Sequence, residues 1–167
     1  MEIGSGLRAT PGFVATGEVF LDSTQVRGSV NVDGGRLSNP GATALSLRRL
    51  GVTGRLSCGE GFSADGEIVL INARVEGGVE FHGAALSNPE GRVLALWEVI
   101  AGGGIDCCEG FTAKGALSIR DSRIAATLCL RRPPSTGARL LGLRDDLVDP
   151  RLATDDVGED QPAEAAA

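Results

Sequence analysis

The sequence predicts an all-β chain: a parallel β-helix of four-sided cross-section with about five coils, followed by a disordered or partly helical C-terminal tail. Three observations carry this. The loop GFSADGE at 61–67 has near copies, GFVATGE at 12–18 and GFTAKGA at 110–116, spaced 49 residues apart each time. Apolar residues alternate at period two, the rhythm of strands, with no sustained 3.6-residue period between 12 and 130. Glycine is abundant at 25 of 167 residues and aromatics make up 4%, with no Tyr. Such a chain builds thin layers of small and branched side chains instead of a thick aromatic core.

The elements follow in chain order. Ile3, Leu7 and Ala9 fall where Val52, Leu56 and Cys58 sit one period later, so the chain enters in mid-repeat. Residues 12–60 and 61–109 then align without a gap, sharing 19 of 49 positions, including the whole LSNP of 37–40 and 86–89. A partial third copy covers 110–130, so the repeat domain spans 3–130. Strand pairs are expected at Val19/Leu21, Val30/Val32, Leu45/Leu47 and Leu56/Cys58, and again at Ile68/Leu70, Val79/Phe81, Leu94/Leu96 and Ile105/Cys107. With the shorter points Val26, Leu37, Leu50/Val52 and Phe62, each period holds eight apolar points, which a four-sided coil divides evenly into two coils. Those coils are 26 residues (19 to 45) and 23 residues (45 to 68) long, and the spare residues of the longer one fall in SNPGAT and SNPEGR bulges.

Beyond 130, residues 131–150 read as a capping segment. Within it, 136–148 places Leu140, Leu143 and Leu147 at helical spacing, although Gly142 weakens a helix. Residues 151–167 belong to an acidic tail expected to be disordered. From Asp145 onward there are eight acidic groups and one basic, a sum of −7, so residues 1–144 carry about +1 of the total −6. A near-neutral body gives no basic nucleic-acid footprint and no acidic rod that could imitate DNA.

The start MEIGSGLRATPG lacks the basic opening and apolar run of a secretory signal, and the longest apolar stretch, VLALWEVIA at 93–101, is too short to span a bilayer. A cytoplasmic chain with reduced thiols is the expectation.

The run GEIVLINARVEGG at 66–78 followed by GAALSNP at 83–89, with a looser copy at 17–40, resembles the pentapeptide-repeat class of β-helices. Within that class it is similar to a group of actinobacterial repeat proteins often labelled oxidoreductases or membrane-associated oxidoreductases. The resemblance covers 3–130, with LLGLRDD at 140–146 as an expected further copy, and implies a right-handed coil. It also implies thiol-based redox activity and peripheral membrane association as expectations, while strict A-x-L-x-x pentapeptides are departed from at many positions.

Candidate chemical residues are few. Cys58 and Cys107 are repeat equivalents two coils apart, roughly 10 Å, too far to pair. Both take inward positions, where Cys acts as a small apolar residue. Cys107 and Cys108 are vicinal and hard to close on each other, and Cys129 faces outward between Leu128 and Leu130. Cys107, Cys108 and Cys129 are therefore the redox candidates, without a C-x-x-C motif. AGGGIDCCEG at 101–110 lacks the last glycine of a dinucleotide fingerprint, and Ile105 and Asp106 break the glycine-rich calcium repeat, so it reads as a coil corner.

No cofactor, metal or catalytic constellation is expected. His82, the only histidine, is a turn residue equivalent to Asp33, and Asp65 is a water-facing loop position next to Glu67. Trp97 stands outside the Leu94/Leu96 pair, either exposed to a partner or covered by the C-terminal segment. Trp97, Asp65 and His82 are thus the expected partner contacts. The function expected is a non-enzymatic scaffold that binds an unidentified protein or its own coil ends, with thiol oxidoreductase activity as the alternative.

Overall fold

The structure is a computed structural model describing residues 1–9 and 12–130, together with the backbone of 139–141. It is a β-solenoid in which every strand pair is parallel. Three sheets run the length of the stack. Sheet A consists of Glu2–Ile3, Gln25–Val26, Gly51–Val52, Arg74–Val75, Ile100–Ala101 and Arg123–Ile124. Sheet B consists of Leu7–Arg8, Val30–Asn31, Leu56–Ser57, Val79–Glu80, Ile105–Cys107 and Leu128–Leu130. Sheet C holds the long strands Arg36–Ser46, Ser63–Ile71, Ala85–Trp97 and Thr112–Arg120, with Val14–Thr16 and Val19–Phe20 at one end and Arg139–Leu141 at the other.

The described residues make six turns, one more than the apolar pairs suggest, because both the first nine residues and the strand Arg139–Leu141 join the ladders. Each turn between Val19 and Leu117 has the four apolar stretches expected of it. Two of them share sheet C, joined across a register shift, so hydrogen bonding divides the surface into three sheets. The ladder Val19, Leu45, Ile68, Leu94 steps by 26, 23 and 26 residues. Plain turns and longer turns therefore alternate from Val19 to Leu117, one 49-residue repeat being one of each, and the last step, Leu117 to Leu140, is again 23 residues.

The extra residues of the longer turns sit in the LSNP bulges. There Asn39 Nδ2 donates to the Thr43 carbonyl and Asn88 Nδ2 to the Arg92 carbonyl, both at 2.7 Å. Each bulge turns its carbonyls onto a glycine of the next, plain turn. A Cβ on Gly66 would lie 2.6 Å from the Asn39 oxygen and 2.8 Å from that of Ala42, and Gly66 has φ +131°. Gly115 stands in the same relation to Asn88 and Gly91. The glycine of the recurring loop is thus the seat of the preceding bulge. Its phenylalanine has a similar logic. Backbone bonds align Phe13, Gly35, Phe62, Ala84 and Phe111 in one corner column, so large rings in plain turns alternate with small residues in bulged ones.

The core is continuous along the axis. Leu45, Ile68, Leu94, Leu70, Leu96, Leu56, Val79 and Ile105 are buried, and no buried side-chain polar atom among the described residues lacks a hydrogen bond. At the corner from sheet C to sheet A the residues with positive φ form a column: Ser23, Arg49, Asn72, Glu98 and Asp121, with φ between 48° and 55°. This left-handed step turns the chain through a tight corner without glycine.

One expectation is corrected. The helix anticipated over 136–148 is not what its described part forms: Arg139–Leu141 is a strand whose backbone pairs with Ala116–Ser118. Thr112–Arg120 would otherwise end sheet C with an open row of peptide groups, and a strand satisfies them where a helix cannot. The rest of 131–150 and the acidic segment 151–167 lie outside the described residues.

Candidate functional site: the Cys108–Cys129 corner

Side chains with chemical potential gather at the corner where sheet B passes into sheet C. Sheet B is built of very short strands, so its outward residues and the corner residues stack in vertical columns. One outward column runs Asn31, Ser57, Glu80, Asp106, Cys129. The neighbouring corner column holds Asp33, Gly59, His82 and Cys108. In the early turns this corner is a hydrogen-bonded brace. Asp33 Oδ1 accepts from Ser57 Oγ and from the Gly59 amide, each at 2.7 Å, and Asp33 Oδ2 accepts from Asn31 Nδ2 at 2.7 Å.

At the fifth and sixth turns the same columns carry different groups. Cys108 and Cys129 form a disulfide with a Cα–Cα distance of 5.8 Å. Asp106 stands beside it, its Oδ1 accepting the Cys108 amide at 2.9 Å. One carboxylate oxygen and the two sulfurs lie within 4.8 Å of one another, all three residues half-buried. Next to them is a shallow hollow of about 400 Å³, bordered by Gly78, Glu80, Gly104, Asp106, Thr127 and Cys129.

The disulfide corrects the expectation of fully reduced thiols. Cys129 is the ladder partner of Asp106, two residues before Cys108, and the cysteines are 21 residues apart where the turn is 23. Pairing thus crosses from the strand column to the corner column. A search for cysteines within two residues of a ladder partner would have found it; matching repeat equivalents did not. The other two cysteines are as expected: Cys58 and Cys107 are free, fully buried and separated by the intervening turn of Phe81. Burial pushes both thiols far above their ordinary range, with Asp33 adding to the effect at Cys58 and Asp106 at Cys107. They are core residues with little thiolate character.

The three expected partner contacts lie apart. His82 is half-exposed on the corner, its Nε2 3.8 Å from the exposed Glu60 carboxylate. Asp65 is exposed on the first segment of sheet C, while Glu67 turns aside to pair with Arg92 at 2.7 Å. Trp97 is half-buried on the outer face of sheet C, and its Nε1 donates to Ser118 Oγ at 3.0 Å. The Arg92 and Arg120 guanidinium carbons lie 4.7 and 5.2 Å from its ring centroid. Its π surface is engaged within the chain by cation–π contacts. Arginines of its own face lie over the ring, a packing that outward position alone does not signal, and the C-terminal segment expected as an alternative cover lies outside the residues whose side chains are described.

No helix among the described residues is long and apolar enough to cross a membrane. Comparison with family models, with curated proteins and with solved structures returns no match.

Proposed function

We propose that the chain is a non-enzymatic scaffold, a rigid solenoid that presents its faces and one coil end to a protein partner or to a second copy. One observation supports this most directly. The first turn leaves Phe13 36%, Val14 64% and Phe20 63% exposed along Val14–Thr16 and Val19–Phe20, the terminal strands of sheet C. Their repeat equivalents show what another turn would do: Phe62 is 1% and Val69 3% exposed. Among the described residues nothing pairs with the outer edge of these strands, and open peptide groups beside apolar side chains favour the addition of a strand from a partner. The test is analytical ultracentrifugation across a wide concentration range, combined with affinity capture from native lysate. Association that is weakened by Phe20→Glu is expected. A protein that stays monomeric and captures nothing would remove this reading.

A second reading, thiol-based redox activity in keeping with the oxidoreductase-labelled group that the sequence resembles, is supported by the half-buried Cys108–Cys129 disulfide. It requires that thiol–disulfide exchange with a substrate be lost in Cys108→Ser with the fold retained.

A further inference from the structure

We infer that Asp106, Cys108 and Cys129 form a redox-gated site for a thiophilic divalent metal ion of the zinc class. The inference is independent of the scaffold reading. Asp106 closes a local turn by accepting the Cys108 amide, as Asn31 does for Asp33, but here a carboxylate oxygen also stands against two sulfurs. A bound dication is held by thiolates and carboxylate together.

The donor set fits such an ion. Two sulfurs and one carboxylate oxygen lie within 4.8 Å of one another, which supplies three protein ligands. Two soft thiolates select zinc-like ions over magnesium or calcium, which take oxygen alone. Asp106 is already oriented, since Oδ1 is held by the Cys108 amide and the carboxylate keeps further lone pairs free. The adjoining hollow of about 400 Å³ gives the ion a route in and leaves room for an outside fourth ligand. Around zinc the two sulfurs would stand about 3.8 Å apart, each about 2.3 Å from the ion. Only side-chain rotation separates this from the disulfide, because the backbones are already 5.8 Å apart at Cα.

The two states exclude each other and the chemistry balances. A dithiol or phosphine reductant gives two electrons to the sulfur–sulfur bond, which breaks to yield two thiols. The ion then displaces one proton from each thiol to solvent. In reverse, a disulfide oxidant such as oxidised glutathione withdraws two electrons, the sulfur–sulfur bond forms and the ion leaves. Cys58 and Cys107 take no part, being buried in the core.

The full chain, reduced with a phosphine and freed of it under nitrogen, is titrated with cobalt(II) and then with zinc. One cobalt per chain is expected, with sulfur-to-cobalt charge-transfer absorption that an equivalent of zinc abolishes. Cys108→Ser/Cys129→Ser should bind at least about 100-fold more weakly, and Asp106→Asn about tenfold more weakly with the sulfur bands kept. Oxidised wild-type protein supplies a comparison in which folding is not altered by substitution, and it should show no charge-transfer band. Absence of that band in the reduced protein would overturn the inference. So would equal affinity in the reduced and oxidised forms, or in wild type and the double variant.

Discussion

Substituting Gly66 by Ala puts a methyl group where the LSNP bulge of the previous turn rests. Two costs can be read from the geometry. With φ at +131°, an L-residue is strained by about 1–3 kcal/mol. The new Cβ would also meet the Asn39 oxygen at 2.6 Å, the Ala42 oxygen at 2.8 Å and the Ala44 Cβ at 3.1 Å, so the bulge must retreat. Retreat loosens the bond from Asn39 Nδ2 to the Thr43 carbonyl, worth about 1 kcal/mol net, and adds an overpacking cost of about 1–3 kcal/mol. A loss of about 3–7 kcal/mol is expected. Gly61→Ala is the internal standard, since Gly61 lies in the same loop and turn with φ +77° and its nearest contact at 3.8 Å. It should cost about 1–2 kcal/mol, the left-handed strain alone. Equilibrium urea denaturation followed by circular dichroism measures both. If Gly66→Ala costs no more than Gly61→Ala, the bulge does not sit on that glycine as described.

Three further outcomes are expected. Leu94→Ala, at 0% exposure in the middle of the stack, should lower stability by about 2–5 kcal/mol in urea, while Ile100→Ala, at 40% exposure, should cost clearly less. Arg49→Gly should raise stability by up to about 1 kcal/mol, because the relief of strain at φ 55° exceeds the entropy that glycine adds to the unfolded chain; a loss of more than about 1 kcal/mol would mean that the arginine side chain holds the corner. The Cys58 thiol stays neutral in the fold because burial raises it, whereas the unfolded chain ionises it near pH 8.5. Its contribution is therefore complete below that pH and falls above it by about 1.4 kcal/mol per pH unit. Stability measured from pH 8 to 10.5 should drop less steeply in Cys58→Ala than in wild type.

Turn length and turn type were legible because the ladder partners of sheet C are all of one kind. Val19, Leu45, Ile68, Leu94 and Leu117 recur at steps that a period-two search finds directly. Pro and Gly in SNPGAT and SNPEGR marked the bulges for the same reason. The corner column of positive φ was not legible, since Ser23, Arg49, Asn72, Glu98 and Asp121 share no side-chain type; the backbone path imposes that conformation. At the candidate site, Cys108 and Cys129 were visible as residues but not as a pair, because their contact joins two columns. Asp106 was judged only against a calcium repeat that it does not match. Trp97 stood on the outward side as its position implied, and only the arginines around it gave that position its meaning.

The alternation of plain and bulged turns sets the unit in which such a rod can change length. A bulge needs a glycine seat on the turn that follows it, so two bulged turns cannot be neighbours without a collision of carbonyls. Gene duplication or engineering that sets one bulged turn beside another would break this order, as the 23-residue step from Leu117 to Leu140 does not, whereas adding 49 residues keeps it. Each such step lengthens the rod by about 9.6 Å, two strand spacings. Any surface feature copied along the rod is then spaced at that interval, which works as a ruler written into the backbone.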